Sequence, residues 1–275
     1  MCIRDSVGAD DVTVAPFELV NGMIIVQASV NGVLGDFILD TGSPGIVLNS
    51  VEHEPSTSFS ASGIGGELEI GSVTVEHFKW GIIEKAEIEG FTLDIGHLEL
   101  ATGRKIMGLI GFEVFQQYEL LFDYPNNVVS IYNASKVKKY KKKPVAEVPF
   151  KMCGHVPVIA VKVGKKKAFL GLDSGAETNL LDDSFLKPLK KSFLKNNRKE
   201  IVIGLDQEEQ EVDAALLKTS EINGVKLSEM KFLFMDLENF EHQFETRFDG
   251  LLGFPFFREH AVSINYKERK IYIWN

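Results

Sequence analysis

Two stretches of this 275-residue chain decide its fold: residues 37–42, Phe-Ile-Leu-Asp-Thr-Gly, and residues 169–175, Phe-Leu-Gly-Leu-Asp-Ser-Gly. Each carries an Asp-(Thr/Ser)-Gly triplet directly after an apolar run that is typical of a buried strand. At average residue usage, one such triplet occurs by chance about once in several chains of this length. Two triplets in matching contexts, with Asp40 and Asp173 about half a chain apart, indicate a duplicated unit that brings two carboxylates to one site.

The duplication extends beyond the triplets. At a constant offset of 133 residues, Pro16-Phe17 falls on Pro149-Phe150. At an offset of 142 residues, residues 108–112 (Gly-Leu-Ile-Gly-Phe) fall on residues 250–254 (Gly-Leu-Leu-Gly-Phe). The second copy therefore holds nine more residues between its two blocks than the first copy does. Repeats of this size indicate duplicated domains, because solenoid units have much shorter periods.

The hydrophobic patterning predicts an all-β protein, with many strands and a few short helices. Apolar runs such as residues 23–30 and 67–75 are separated by turn signals such as Asn31-Gly32. Short helices are expected at residues 113–118, 182–195 and 255–260. We expect two similar β-barrel-like lobes with a cleft between them. The expected order is an N-terminal tail at 1–15, a first lobe at 16–133, a Lys-rich linker at 134–148 and a second lobe at 149–275.

Composition and charge narrow the class of protein. An apolar fraction of 44% and the lack of any 18-residue apolar run fit a globular chain without an integral membrane segment. Residues 1–135 carry 5 Lys and Arg against 19 Asp and Glu, whereas the remaining residues carry 25 against 20. The basic excess lies in the predicted linker, in what looks like a hairpin turn and in one predicted helix, where lysines are expected to be solvated. We therefore expect no nucleic-acid partner.

Other site chemistries find little support in the sequence. The six histidines lack the spacing of paired metal ligands, so neither a metal nor another cofactor is expected. Two cysteines cannot form a disulfide framework, and Cys153-Gly-His155 has no supporting motif for a cysteine nucleophile. The chain contains no Gly-x-Ser-x-Gly elbow and no phosphate-binding Gly-x-x-x-x-Gly-Lys run.

The two triplets suit a pair of tight loops that meet. Glycine lets each loop turn sharply and approach another chain segment closely. The hydroxyl of Thr41 or Ser174 can bond the backbone of the neighbouring loop and hold it in place. If the loops meet about a pseudo-twofold axis, Asp40 and Asp173 share one proton, because like charges that close cannot both ionise. The ionised carboxylate can then activate a water molecule while the protonated one donates to a substrate carbonyl.

These motifs resemble the catalytic signatures of the aspartic peptidases of the pepsin and retropepsin clan. The resemblance covers residues 16–133 and 149–275, and it rests on motifs, not on overall identity. It implies Asp40 and Asp173 as the catalytic pair. It also implies that Leu109-Ile110-Gly111 and Leu251-Leu252-Gly253 pack beside the catalytic loops. The loop-support residues implied by the family are Thr41, Gly42, Ser174, Gly175, Gly111 and Gly253.

The family resemblance also implies a flap that closes over the substrate. The run Gly63, Ile64, Gly65 and Gly66, which starts 23 residues after Asp40, is similar to a retropepsin flap tip, and Ile203-Gly204 is a weaker counterpart. A flexible hairpin turn is the alternative interpretation of both runs. The chain departs from pepsins in its small lobes, its two cysteines and the lack of a tyrosine between Asp40 and Gly111. It therefore looks like a fused, single-chain retropepsin-like enzyme of bacterial type.

The leading interpretation is an aspartic endopeptidase that acts as a monomer on an extended polypeptide. A catalytically inactive peptide-binding module on the same fold is the main alternative; structural turn aspartates, and lobes that pair with another chain, are the others. No apolar signal-peptide core is visible, and residues 1–6 resemble an adapter-derived sequence, so we expect the natural start to lie upstream. The resemblance and this N-terminus favour a periplasmic, envelope or secreted location.

Overall fold

The computed structural model describes residues 11–51, 53, 56–63, 66–135, 142–194, 198–203, 209–237 and 247–275. The protein is mainly β, with few short helices, which confirms the predicted all-β class. Its strands form three sheets, one from each half of the chain and one to which both halves contribute. Within the described ranges, no helix has the length and apolar character needed to cross a membrane.

The first sheet contains eight strands from the first half, in the order β2-β3-β4-β9-β5-β8-β7-β6. Its strands are β2 (Glu18–Val20), β3 (Met23–Val30), β4 (Val33–Leu39), β5 (Ile46–Asn49), β6 (Thr57–Gly63), β7 (Gly66–Trp80), β8 (Ile83–Leu93) and β9 (Gly108–Ile110). In the first half of strand β3 the side chains alternate between two hydrophobic clusters, so both faces are buried there, whereas further along only one face stays buried. This explains why the sequence of that first half reads as a continuous apolar run.

The second sheet contains ten strands, and eight of them repeat the order of the first sheet. Its strands are β13 (Lys151–Cys153), β14 (Val156–Val163), β15 (Lys166–Leu172), β16 (Asn179–Asp182), β17 (Arg198–Ile203), β18 (Glu209–Leu217), β19 (Ser220–Ile222), β20 (Val225–Leu227), β21 (Met230–Met235) and β22 (Gly250–Leu252). The order β13-β14-β15-β22-β16-β21-β18-β17 matches the eight strands of the first sheet one for one. The parallel pairs β4–β9 and β5–β8 recur as β15–β22 and β16–β21.

The third sheet, here called the central sheet, joins the two halves. It contains β1 (Val12–Pro16), β10 (Tyr118–Asp123), β11 (Val128–Asn133), β12 (Ala146–Pro149), β23 (Ala261–Asn265) and β24 (Lys270–Trp274). Its order is β1-β11-β10-β23-β24-β12, so the antiparallel pair β10–β23 joins three strands from each half. At this join the buried carboxylate of Glu119 accepts a hydrogen bond from the side-chain amide of Asn265 (2.8 Å).

The helices are short, and they differ in detail from the predicted ones. In the described ranges they are α1 (Gly96–Thr102), α2 (Phe112–Phe115), α3 (Leu186–Leu189) and α4 (Phe254–Phe257). The predicted helix at 182–195 is instead a 3-10 turn at Asp183–Phe185, helix α3 and a second 3-10 turn at Lys190–Ser192. Helix α1 was not predicted from the sequence; it ends at Gly103, whose φ of 66° lies in the left-handed region.

Two of the predicted connecting segments contain strands. Strand β1 takes residues 12–15 of the predicted tail, and β12 takes residues 146–148 of the predicted linker. Both are edge strands of the central sheet and are short, with 5 and 4 residues, so their apolar alternation is brief. Residues 1–10 of the predicted tail and 136–141 of the predicted linker lie outside the described residues.

Candidate active site

Asp40 and Asp173 occupy equivalent places at the ends of β4 and β15. The Asp40 N–H donates to the carbonyl of Ile110, and the Asp173 N–H donates to the carbonyl of Leu252, each at 3.0 Å. Each acceptor is the last residue of the strand that pairs in parallel with the strand before the aspartate. Parallel strands end at the same edge of a sheet. Asp40 therefore lies beside Gly111, which follows Ile110, and Asp173 lies beside Gly253, which follows Leu252.

The two carboxyl groups meet across the halves of the chain and form a side-chain hydrogen bond with each other. Each is also oriented by its own loop. The Gly42 N–H donates to Oδ1 of Asp40, and the Gly175 N–H donates to Oδ1 of Asp173, each at 2.8 Å. The structure therefore brings the two predicted catalytic residues together with matching orientation.

Gly42 and Gly175 allow this approach. A Cβ atom on Gly42 would lie 2.6 Å from Cγ of Asp173, and a Cβ on Gly175 would lie 2.6 Å from Cγ of Asp40. Real Cβ atoms essentially never come that close to a neighbour, so any side chain at either position would force the carboxyl groups apart.

For the peptide cleavage that the resemblance implies, we predict that Gly42→Ala lowers kcat/KM by at least about 100-fold, the scale expected from a misplacement of about 1 Å. Gly96→Ala is the matched control, because its Cβ would meet only Oδ1 of Asp94, at 3.2 Å, at the start of helix α1. Steady-state kinetics on both variants test this prediction. Equal activity in the two variants would contradict the close approach of Gly42 to Asp173.

Thr41 and Ser174 connect the two catalytic loops through hydrogen bonds of their hydroxyl groups, which is the role expected for these hydroxyls. Oγ1 of Thr41 accepts from the Ser174 N–H (2.9 Å) and donates to the carbonyl of Leu172 (3.0 Å). Oγ of Ser174 accepts from the Thr41 N–H (3.1 Å) and donates to the carbonyl of Leu39 (2.8 Å). Both residues are fully buried. Each loop is thus held by the backbone of the other half.

Gly111 and Gly253 pack against the carbonyl oxygens of the catalytic loops. A Cβ on Gly111 would lie 2.5 Å from the carbonyl oxygen of Ser43, and a Cβ on Gly253 would lie 2.4 Å from that of Ala176. The residue after each glycine forms a backbone hydrogen bond to the same catalytic loop. The N–H groups of Phe112 and Phe254 donate to those same two carbonyls at 2.9 and 2.8 Å.

Burial and mutual repulsion set the protonation of the pair. Burial, followed by the charge of Asp173, holds the pKa of Asp40 well above its ordinary value. Burial also raises the pKa of Asp173, while hydrogen bonds from Asp40 and from the Gly175 and Ala176 backbone oppose that rise. The pair therefore retains a proton at pH values where isolated aspartates are ionised.

Two buried tyrosines that were not singled out from the sequence lie near the pair of aspartates. Tyr124 packs on Phe254 and Tyr266 packs on Phe112, with ring centroids 5.7 and 5.4 Å apart. Burial raises the pKa of both phenols, and the charge of Asp173 raises each one further. Tyr124 follows β10 and Tyr266 follows β23. The offset of 142 residues superposes the two tyrosines, so they occupy equivalent positions of the repeat.

His155 is a third side chain at the site whose placement the sequence did not reveal. Its Nε2 lies 2.5 Å from the carbonyl oxygen of Gly42 in the other half of the chain. The sequence shows it only as part of Cys153-Gly-His155, because its partner is 113 residues away.

The predicted flap run lies at the end of a hairpin. Strands β6 and β7 pair antiparallel up to Gly63 and Gly66, while Ile64 and Gly65 between them lie outside the described residues. The second half has an equivalent hairpin, β17–β18, which pairs up to Ile203 and Glu209. Gly204 also lies outside the described residues. The hairpins are observed, and closure over a substrate remains a prediction.

No group of three or more histidine, cysteine, aspartate or glutamate side chains that could hold a metal ion occurs in the part of the chain that the structure describes. The chemistry that the described site offers is that of two coupled carboxyl groups.

The comparison with known families agrees with this geometry. Residues 159–256 match a family model described as aspartyl protease. The matched range includes Asp173, Ser174 and Gly175 together with the second signature ending at Gly253. It supports an aspartyl protease family. No curated protein matches the chain.

Proposed function

We propose that the protein is an aspartic endopeptidase that hydrolyses peptide bonds with a water molecule activated between Asp40 and Asp173. The observation that carries this proposal is the hydrogen-bonded pair of carboxyl groups, contributed by opposite halves of the chain and fixed by matching loops. An aspartate that served only as a turn residue would not need a buried, charge-coupled partner.

The proposed reaction conserves protons at every step. The ionised carboxylate takes a proton from water as the water oxygen bonds to the peptide carbonyl carbon, and the protonated carboxyl gives its proton to the carbonyl oxygen. In the second step the C–N bond breaks while the first carboxyl protonates the amine. A hydroxyl of the tetrahedral intermediate then returns a proton to the second carboxyl. Both aspartates end in their starting states, and no covalent enzyme intermediate forms.

We propose that substrate binds as an extended strand between two lobes at 16–133 and 149–275. The hairpin β6–β7 would act as the flap, as its resemblance to a retropepsin flap in the run Gly63, Ile64, Gly65 and Gly66 implies. The equivalent hairpin β17–β18 supports a retropepsin-like arrangement in which both halves supply one. Main-chain hydrogen bonds to an added strand would hold the peptide, and side-chain pockets would select its sequence.

The rival function is an inactive peptide-binding module on the same fold. Retention of both aspartates favours the enzyme, because binding an extended peptide does not require two coupled carboxyl groups.

The deciding experiment is cleavage of a denatured protein at pH 3–7 by the wild type, Asp40→Asn and Asp173→Asn, with gel filtration of the active species. We expect cleavage by a monomeric wild type and none above background by either variant. Negligible turnover by all three proteins, together with retained peptide binding, would replace the enzyme proposal with the binding module.

A further inference from the structure

The two halves of the site differ at one position next to the catalytic loops. The offset of 133 that superposes Asp40 on Asp173 also superposes Gly22 on His155. Gly22 is the second residue of a hairpin turn, with a φ of 85°, and the ring of Phe254 lies 3.1 Å from where its Cβ would be. The first half therefore has an aromatic ring from the other half at this place, whereas the second half has an imidazole.

The imidazole of His155 contacts the catalytic loop of the first half. A carbonyl oxygen can only accept, so the 2.5 Å contact with Gly42 requires the hydrogen on Nε2 of His155. Gly42 touches both aspartates. Its N–H donates to Oδ1 of Asp40, and its Cα faces the carboxyl of Asp173 so closely that a Cβ would lie 2.6 Å from Cγ. His155 thus acts on the residue that lies between the two carboxyl groups.

Of the two catalytic aspartates, Asp173 is the one whose charge acts on His155. Asp173 from the second catalytic loop and Glu113 from helix α2 both raise the imidazole pKa, but burial outweighs them and leaves it below its ordinary value. The interaction is reciprocal, because the charge of His155 lowers the pKa of Asp173. The pKa of Asp40 is raised by burial and by Asp173.

We propose that His155 is a positioning residue that makes the two aspartates unequal: it holds the Gly42 loop through Nε2–H and, by facing Asp173, leaves the shared proton on Asp40. The proposal rests on the proposed peptidase function. It assigns the roles in the reaction. Asp173 takes the proton from water, and Asp40 protonates the peptide carbonyl oxygen. An exact twofold repeat of the loops would leave these roles interchangeable.

Two substitutions separate the loop contact from the charge. His155→Phe keeps a ring but removes the donor, and we expect kcat to fall about tenfold, the scale of one hydrogen bond of about 1.4 kcal/mol. His155→Gln can donate to the Gly42 carbonyl without carrying a charge, so we expect it to recover most of that loss. Equal losses in both variants would contradict the role of the Nε2–H donor.

The pH profile tests the charge. A cationic imidazole favours ionised Asp173, so its removal raises the pH at which the pair becomes active. In both variants we expect the acid limb of kcat/KM to move to higher pH by about one unit, the scale of a unit charge several ångströms away in a partly screened site. If the pH profiles of both variants superimpose on the wild-type profile after scaling, His155 has only a structural role.

A titration that needs no activity separates this inference from the peptidase proposal. The imidazole pKa of His155 is measured by ¹H–¹⁵N NMR in Asp40→Asn and Asp173→Asn, with the signal identified by its loss in His155→Gln. We expect a lower pKa in Asp173→Asn than in Asp40→Asn, because only the former removes the carboxylate that His155 faces. The reverse order, or equal values, would overturn the assignment even if the enzyme is active. If the wild type cleaves nothing, the peptidase proposal fails, while this titration still shows which aspartate faces His155.

Discussion

Asp40→Asn is expected to lower kcat/KM for peptide cleavage by about 1,000-fold or more, and Asp173→Asn by a similar factor. Each substitution removes one partner of the proton exchange, and positioned acid–base groups contribute about 100- to 10,000-fold each. Asparagine preserves the acceptor for the Gly42 or Gly175 N–H, so loop geometry is retained and the loss reports chemistry. Steady-state kinetics at the wild-type pH optimum measure it.

The same substitution is expected to stabilise the fold at neutral pH. The folded-state pKa of Asp40 lies above its unfolded value, because burial and Asp173 disfavour the charged form. Its stabilising contribution is therefore present below the unfolded pKa and is lost as pH rises through the folded pKa. Asp40→Asn should thus exceed the wild type in Tm at pH 7, by about 2–4 °C for each kcal/mol relieved, and by less at pH 4.

A matched substitution controls for the change of side chain. Asp94 is exposed, and its Oδ1 accepts from the Gly96 N–H far along the chain from the triplets. Asp94→Asn should leave both kcat/KM and the pH dependence of Tm as in the wild type. An active Asp40→Asn would contradict the assignment of Asp40. A Tm difference that is the same at pH 4 and pH 7 would contradict the raised pKa.

Thr41→Val is expected to destabilise the protein by about 2–5 kcal/mol. Valine matches threonine in shape but has no hydroxyl, so the buried Ser174 N–H loses its acceptor and the Leu172 carbonyl loses its donor. Each buried polar group left without a partner costs about 1–3 kcal/mol. Thr41→Ser keeps the hydroxyl and is expected to stay within about 1 kcal/mol of the wild type. Denaturant unfolding measures both variants.

The crossed arrangement also predicts coupling between the braces. Ser174→Ala removes the acceptor of the Thr41 N–H and the donor to the Leu39 carbonyl. Because both loops loosen when either brace is lost, the double variant should be less destabilised than the sum of the single ones, by at least about 0.5 kcal/mol. Additive effects would mean that the two loops are held independently.

The sequence was sufficient to predict the β class and the pairing of Asp40 with Asp173, because both follow from a repeated local pattern. Asp40 and Asp173 were recognisable since each triplet directly follows an apolar strand, and the repeat then required the two to be equivalent. His155 was not recognisable, because its contact with Gly42 depends on tertiary structure alone.

The missed elements also have physical reasons. The predicted helix at 182–195 contains Pro188, which has no N–H to donate, and the segment forms the short helix α3 flanked by two 3-10 turns instead of one long helix. Strands β1 and β12 have little sequence signal, since they are ordered by the central sheet to which they add an edge.

The central sheet gives the site a property that two separate subunits would lack. Strands β10 and β23 join the halves within one chain, so bringing Asp40 to Asp173 is a step of folding and not a binding equilibrium. Dilution therefore leaves the pair assembled, and specific activity should not depend on protein concentration. In a symmetric homodimer each substitution appears on both sides of the site. Here one side can change while the other is preserved, as the glycine at position 22 and the histidine at position 155 illustrate.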